Sequence, residues 1–342
     1  MNIVFWGTPQ FSVGILKALL DSKHNIIAVV TQPDKKRRRG QQQCPSPIKE
    51  IALQRNIRIF TPIKVKDDLE MKKELKSLKA DIYIVVAFGQ ILPLEILSLP
   101  RLGCWNIHTS LLPKWRGAAP IQWSLIKGEK ETGVAIMLME EGLDTGPILI
   151  EKKVPITKFD NALFLSDKLC KISSELIIKA LKIIVTNHID NIEDINLIQQ
   201  SSTGREISIA RKISKEDYLI EWNKPAIVIH NKIRGLYPNA YSYIGNKRVK
   251  ILSSIPISSD SAQYKDAKLQ EYKDEGKYID IKPGYAVGIL KGSGIIIKAS
   301  EGLLLITGIK IEGKNEASEN SLIQQIAFNR KINTINFSNY TN

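Results

Sequence analysis

Asn106 and His108 stand two apart in NIHTSLLPKWRG, at the end of the apolar run GCWNIH. Along an extended segment, residues i and i+2 point to the same side. An amide N–H and an imidazole therefore face one cleft, and that pair suits an oxygen that turns anionic during acyl transfer. Asp144 follows in EEGLDTGPIL, a Gly-flanked turn after the run GVAIMLM. A carboxylate beside an imidazole holds the ring's orientation and supports its protonated form. Each residue has an ordinary alternative too. A strand-end histidine is often a satisfied structural side chain, and an aspartate in such a turn often bonds its own backbone. No serine or cysteine stands in an elbow motif nearby, so the attacking group is expected to belong to a substrate. The three residues would then act as acid–base and electrostatic groups, not as covalent ones.

The second group with chemical potential is the basic run DKKRRRGQQQ, residues 34–43. A run of cations is usually a solvated face. This one falls in a long connection after the second strand, at an end of the sheet where ligands sit. There it can set cations on phosphates or base edges. GTPQF after the first strand is not a GxGxxG turn, and neither GxxxxGKS nor GxxxxGKT occurs, which disfavours tight dinucleotide or ATP binding at that turn.

The elements that must position these groups alternate in the first half of the chain. NIVFW (2–6), IIAVV (26–30), DIYIVVAF (81–88), GCWNIH (103–108) and GVAIMLM (133–139) read as strands, with a helix at FSVGILKALL. Strands alternating with helices imply an α/β domain with a mostly parallel sheet. Leu165, Leu169, Ile172, Leu176, Ala180 and Ile183 recur at steps of three and four, which predicts a long helix closing that domain. Residues 189–206 are polar and aperiodic and read as a linker between a domain over 1–188 and one over 207–315. The second domain opens with a helix over 224–237. Short runs follow (AYSYI, RVKILSS, AVGILK, GIIIKA, LLLITGIKI), as in a small antiparallel, OB-like barrel. The stretch 258–278 reads as a surface excursion, and 316–342 as a loosely docked tail.

Composition narrows the class. At 342 residues with 43% hydrophobic and 25% charged content, the chain is an ordinary soluble protein long enough for two cores. No apolar run approaches the roughly 18 residues of a membrane span, and no signal peptide is read in MNIVFWGTPQF. A cytosolic protein is expected. Cys44, Cys104 and Cys170 are far apart and form no CxxC pair, so neither a disulfide framework nor a zinc site is suggested. The net charge is +14. Residues 205–342 hold 21 Lys and Arg against 14 Asp and Glu, and residues 1–204 hold 28 against 21, so both halves share the excess. A polyanion touching both would produce that pattern, and so would a general bias toward lysine.

Taken together, NIHTSLLPKWRGAAPIQW, VVAFGQILP upstream and ETGVAIMLMEEGLDTGPIL downstream resemble the methionyl-tRNA formyltransferase family. The likeness continues through PSPIK (45–49), ARKISKEDYLIEWNKPAIVIHNKIRGLYP (210–238) and PGYAVGILKGSGIIIKASEGLLLITGIKIEGK (283–314), in order and over nearly the whole chain. The resemblance implies a Rossmann-like formyltransferase domain followed by an OB-like domain. It implies transfer of a formyl group from 10-formyltetrahydrofolate to the amino group of methionine on initiator tRNA, without a metal, by a monomer that needs no membrane. By position it makes Asn106, His108 and Asp144 catalytic, and Ser110, Leu111, Leu112 and Pro113 the folate-contacting turn. FGQIL (88–92) falls on the loop shaping the pterin pocket. Lys35, Lys36, Arg37, Arg38 and Arg39 fall on the loop that reads the tRNA acceptor end, and Arg211 and Lys212 on a stretch approaching tRNA backbone. A formyltransferase acting on a small amine, a formyltetrahydrofolate hydrolase and a non-catalytic RNA-binding relative are the competing readings.

Overall fold

The computed structural model describes residues 1–37, 42–257, 271–272, 275–327 and 331–338. Its elements run β1 (Asn2–Gly7), α1 (Gln10–Leu20), β2 (Asn25–Val30), β3 (Lys35–Arg37), β4 (Gln42–Cys44), α2 (Pro47–Gln54), β5 (Arg58–Phe60), α3 (Leu69–Ser77), β6 (Ile82–Val86), α4 (Leu94–Leu97), β7 (Cys104–His108), β8 (Arg116–Gly117), α5 (Pro120–Ile126), β9 (Glu131–Leu138), β10 (Ile148–Pro155) and α6 (Ala162–Thr186). They continue as β11 (Ile209–Ala210), α7 (Ala226–Gly235), β12 (Tyr241–Ile244), β13 (Lys247–Ile257), β14 (Ala286–Leu290), β15 (Gly294–Lys298), β16 (Leu303–Ile311), β17 (Glu316–Ser318) and α8 (Glu319–Ala327). Two compact units result. The first comprises 1–121, 130–157 and 164–212, and the second 122–129, 158–163 and the chain from 213 on.

The first unit is built on a seven-stranded sheet of order β10-β9-β7-β6-β1-β2-β5. From β7 to β5 the strands are parallel, whereas β9 runs antiparallel to β7 and β10 antiparallel to β9. The mostly parallel α/β expectation therefore holds. The apolar runs are continuous because helices cover both faces: every residue of β6 is buried, as are five of the six in β1. From β1 the chain proceeds to β2 and β5 on one side, then returns to β6 on the other. Such a reversal leaves a crevice at the carboxyl ends of the strands, where β7 delivers His108.

ILIEKKVP, which has no clear apolar alternation, forms the edge strand β10. The segment expected to be a linker is instead packed into the first unit. Ile198 bridges Ile148, and Gln200 is 4% exposed within a 3-10 turn; β11, just past this segment and in the stretch expected to open the second domain, pairs in parallel with β8 of the first unit. Most of the segment's polar residues face solvent, while Gln200 and Arg205 hydrogen-bond loops of that unit.

The second unit holds an antiparallel sheet of order β12-β13-β16-β15-β14, with β17 pairing β16. Register shifts between Ile251 and Ser254 bulge the long strand β13 against β16, which bends it. Helix α7 buries Ala226, Ile229 and Ile233 in a core shared with Ile251, Ile295 and Ile306. The expected loose tail is a correction as well. Ala317, Leu322, Ile326, Ile335 and Phe337 belong to that core, and the Phe337 ring packs tilted against Trp222 with centroids 5.5 Å apart. Cutting such an aromatic back to alanine costs about 3–5 kcal/mol, so this segment is part of the fold. Most of the expected excursion over 258–278 lies outside the described residues.

Candidate active site

Strand β7 places Asn106 and His108 on one side, two residues apart, as the spacing required. Asp144 reaches them from the turn between β9 and β10. Its Oδ1 accepts from Asn106 Nδ2 at 3.1 Å, and its Oδ2 accepts from the Gly117 amide at 2.7 Å and lies 3.6 Å from His108 Nδ1. His108 is 4% exposed, and its Nε2 is 2.9 Å from the Trp115 carbonyl. A carbonyl only accepts, so Nε2 carries its proton in either charge state and exchange takes place at Nδ1, which faces Asp144. Asn106 Nδ2 has two hydrogens, of which Asp144 uses one, leaving the second for an oxyanion. The three residues singled out by type and spacing thus converge.

The local backbone explains the arrangement. Trp115 has φ 60° and Asp144 φ 51°, in the left-handed region that costs a residue with a side chain roughly 1–2 kcal/mol. For Trp115 that conformation turns its carbonyl onto His108. Gly117 (φ 119°) leaves no room for a Cβ, which would sit 2.7 Å from the Ala210 carbonyl oxygen, and its bare N–H is what reaches Asp144. A Cβ on Gly146 would meet the Leu138 carbonyl oxygen at 1.9 Å, so the Asp-Thr-Gly turn closes directly over β9.

Within the Ser-Leu-Leu-Pro turn, Ser110, Leu111 and Leu112 are buried, and Leu112 packs on Ala135, Met137 and Ile148. Pro113 is buried as well, so the turn presents no exposed side chain. Arg205 braces it: Nη1 donates to the Leu112 carbonyl at 2.8 Å, while the guanidinium forms a two-point ion pair with Glu151 of β10. That pairing raises the Arg205 pKa further above its ordinary value. Gln200 braces the other loop by donating to the Asp144 and Gly146 carbonyls. Neither brace was found from sequence, because both lie in the polar segment read as a linker.

FGQIL leaves Ile91 exposed, while Gln90 donates to the Pro62 and Ile63 carbonyls and accepts from Val65. A cavity of about 480 Å³ lies between α4 and the loop leading to Asp144, lined by Leu94, Leu97, Cys104, Leu138, Met139 and residues 140–142. Burial pushes the Cys104 thiol far above its ordinary pKa, so it lines this cavity as a neutral, inert group. Among the described residues, no group of three or more His, Cys, Asp or Glu side chains is placed to hold a metal ion.

Of the basic run, Lys35 is exposed on β3, which pairs antiparallel with β4; Lys36 and Arg37 are on the same strand. Arg38 and Arg39 lie outside the described residues. The stem is fixed by Asp34, ion-paired with Lys49 at 2.8 Å, and by a buried 2.7 Å bond between Thr31 Oγ1 and Ser46 Oγ, the N-cap of α2. Arg211 and Lys212 are exposed just after β11.

The chain matches the profile described as "Formyl transferase" over residues 1–181 and that of "Formyl transferase, C-terminal domain" over 212–326. It is 47% identical over 337 residues to the methionyl-tRNA formyltransferase of a Prochlorococcus marinus strain, covering 98% of this chain and 99% of that one. The chain belongs to the methionyl-tRNA formyltransferase family. The corresponding protein of a Synechococcus sp. strain is 41% identical over 331 residues, with 96% and 97% coverage. Among solved structures, a sugar 3N-formyl transferase, WlaRD, determined with dTDP and 5-N-formyl-THF, superposes with a TM-score of 0.62 at 23% identity, over 92% of this chain and 99% of that one. HypX from Aquifex aeolicus, in complex with tetrahydrofolic acid, gives 0.57 at 16% identity over 99% of this chain and 51% of that one. These two show the formyltransferase fold shared across the family. Family members are enzymes that transfer formyl groups. Among the described residues, no helix is long and apolar enough to cross a membrane.

Proposed function

We propose that this chain transfers the formyl group of 10-formyltetrahydrofolate to the α-amino group of methionyl initiator tRNA, with Asn106, His108 and Asp144 as its catalytic residues. The observation that carries the reading is the Asp144 carboxylate, held at once by Asn106 and the Gly117 amide and facing His108 Nδ1. Near identity of length with relatives bearing that name supports the acceptor. The cavity of about 480 Å³ beside the Asp144 loop has the size and the apolar lining that a fused heterocycle needs. The Ser110–Pro113 turn is the second donor contact on this reading.

The chemistry needs no protein nucleophile. An aminoacyl amine has a pKa of roughly 8 or below and attacks the formyl carbon as the free base. The oxygen that becomes anionic takes hydrogen bonds from the second Asn106 N–H and from protonated His108 Nδ1. Asp144, directly or through a water, accepts the proton that the new N–C bond makes acidic. That proton passes to the departing N10 nitrogen as its bond to the formyl carbon breaks. Removing one such donor costs about 3 kcal/mol of transition-state stabilisation.

The basic residues serve the acceptor. Lys35–Arg39 read its end from a stem fixed by the Asp34–Lys49 pair, and Arg211 and Lys212 meet backbone phosphates. On this reading the chain works in the cytosol, as a monomer. The deciding experiment compares formyl transfer to initiator Met-tRNA, elongator Met-tRNA and a small amine. Preference for initiator Met-tRNA is expected; comparable transfer to the small amine with tRNA inert would sink the reading.

A further inference from the structure

Gln200 has every hydrogen-bonding position of its side chain in use. Nε2 donates to the main-chain oxygens of Asp144 and Gly146, each at 2.8 Å, and Oε1 accepts from Arg116 Nε at 3.0 Å and Nη2 at 2.7 Å. Chemistry sets the orientation of the amide. Carbonyls only accept and a guanidinium only donates, so the flipped amide would face like with like at all four contacts. The residue is 4% exposed, and a buried amide missing these partners would cost about 1–3 kcal/mol.

The placement of these contacts matters more than their number. Asp144 sits in a left-handed conformation that its turn must hold, and Gln200 holds that turn at the Asp144 carbonyl and again two residues later. Arg116, bound to the other end of the amide, directly precedes Gly117, whose N–H binds Asp144 Oδ2. One side chain therefore ties the backbone that carries the carboxylate to the strand that receives it.

We propose that Gln200 is a positioning residue, which sets the Asp144 carboxylate between Asn106, His108 and Gly117 and acts on the transfer step, not on the binding of either substrate. The proposal rests on the reading of Asp144 as part of the active centre.

Gln200→Glu is the discriminating variant. It keeps an oxygen for Arg116 and the volume of the side chain, but turns an acceptor toward the two carbonyls. Gln200→Ala removes both faces. Displacing a catalytic group by about 1 Å costs about 10²-fold, and kcat is expected to fall by that factor in Gln200→Glu. KM for 10-formyltetrahydrofolate and for Met-tRNA should stay within about twofold, as for loss of a group that acts only in the transition state. In an Asp144→Asn background the same substitution should cost less than about twofold, because it acts through a group already removed. The thermal midpoint reports whether the variants fold. Wild-type kcat in both Gln200 variants, with Asp144→Asn inactive, overturns the proposal and leaves the active centre standing. So does a loss of activity that only tracks the folded fraction, or full additivity with Asp144→Asn. Normal activity in Asp144→Asn itself would instead remove the underlying reading, and the proposal with it.

Discussion

His108 and His230 are both drawn into the protein, one in each unit, and their surroundings differ in kind. His108 ends a strand, with a carbonyl on Nε2 and the Asp144 carboxylate facing Nδ1. His230 sits on α7 with Ser254 Oγ 3.1 Å from Nδ1; burial and then the nearby Arg234 push its pKa down to about 4. An imidazole buried beside a cation stays neutral near pH 7, and hydrogen bonds to Ser254 and to the Lys158 main chain hold His230 in place. His108 instead has a carboxylate facing one nitrogen and a carbonyl on the other, which sets the ring toward the groups of the candidate site. Burial alone does not separate a working histidine from a structural one; its partners do.

The largest effect that sharpens this contrast is catalytic. His108→Gln should lower kcat for formyl transfer by about 10²–10³-fold, the order expected for losing an oxyanion donor. His230→Gln, assayed alongside at pH 7, should keep kcat within about twofold. Equal losses in the two variants would erase the distinction.

Next in size is a stability effect confined to His230. Its folded pKa of about 4 lies below the ordinary 6.5, so the unfolded chain binds the proton more readily. Stability is unaffected above about pH 6.5, falls as pH drops through the interval, and flattens below about pH 4. The total is about 3 kcal/mol. Chemical denaturation of the wild type across pH 4–7, compared with His230→Gln, should show that slope flattened in the variant. An unchanged slope would mean that other groups carry it.

A smaller effect concerns the basic run, which contains neither histidine. Replacing Lys35, Lys36, Arg37, Arg38 and Arg39 with glutamine should raise KM for tRNA by about tenfold at low salt. The slope of log KM against log salt should also fall, by roughly 0.7–0.9 for each phosphate that is no longer neutralised. Folate KM should not move. A matching rise in folate KM would place the basic residues in the wrong role.

How much of this was legible in the sequence follows the same division between partners and patterns. Asn106 and His108 could be found because a strand has period two, and Asp144 because glycines mark its turn. The strands β1, β6 and β7 are visible as apolar runs, since helices cover them on both sides. Gln200 and Arg205 were not legible. Each bonds main-chain carbonyls of loops distant in sequence, and such a bond leaves no periodic trace; a polar, aperiodic segment looks the same whether solvated or bound. The strand ILIEKKVP at the sheet edge was missed for a related reason, as one exposed face and one free edge remove the apolar run. In the terminal segment, Leu322, Ile326, Ile335 and Phe337 are too sparse to announce a core element, yet they close one because the sheet supplies the rest of the apolar surface.

Asn106, His108 and Asp144 are proposed to carry the transfer itself, with the carboxylate 3.1 Å from the amide and 3.6 Å from the imidazole. The most direct measurement is the single-turnover rate of formyl transfer from 10-formyltetrahydrofolate to saturating Met-tRNA, in the wild type and in Asp144→Asn. A fall of about 10³-fold or more is expected, with the dissociation constants of both substrates nearly unchanged. A near-normal single-turnover rate in Asp144→Asn would contradict it.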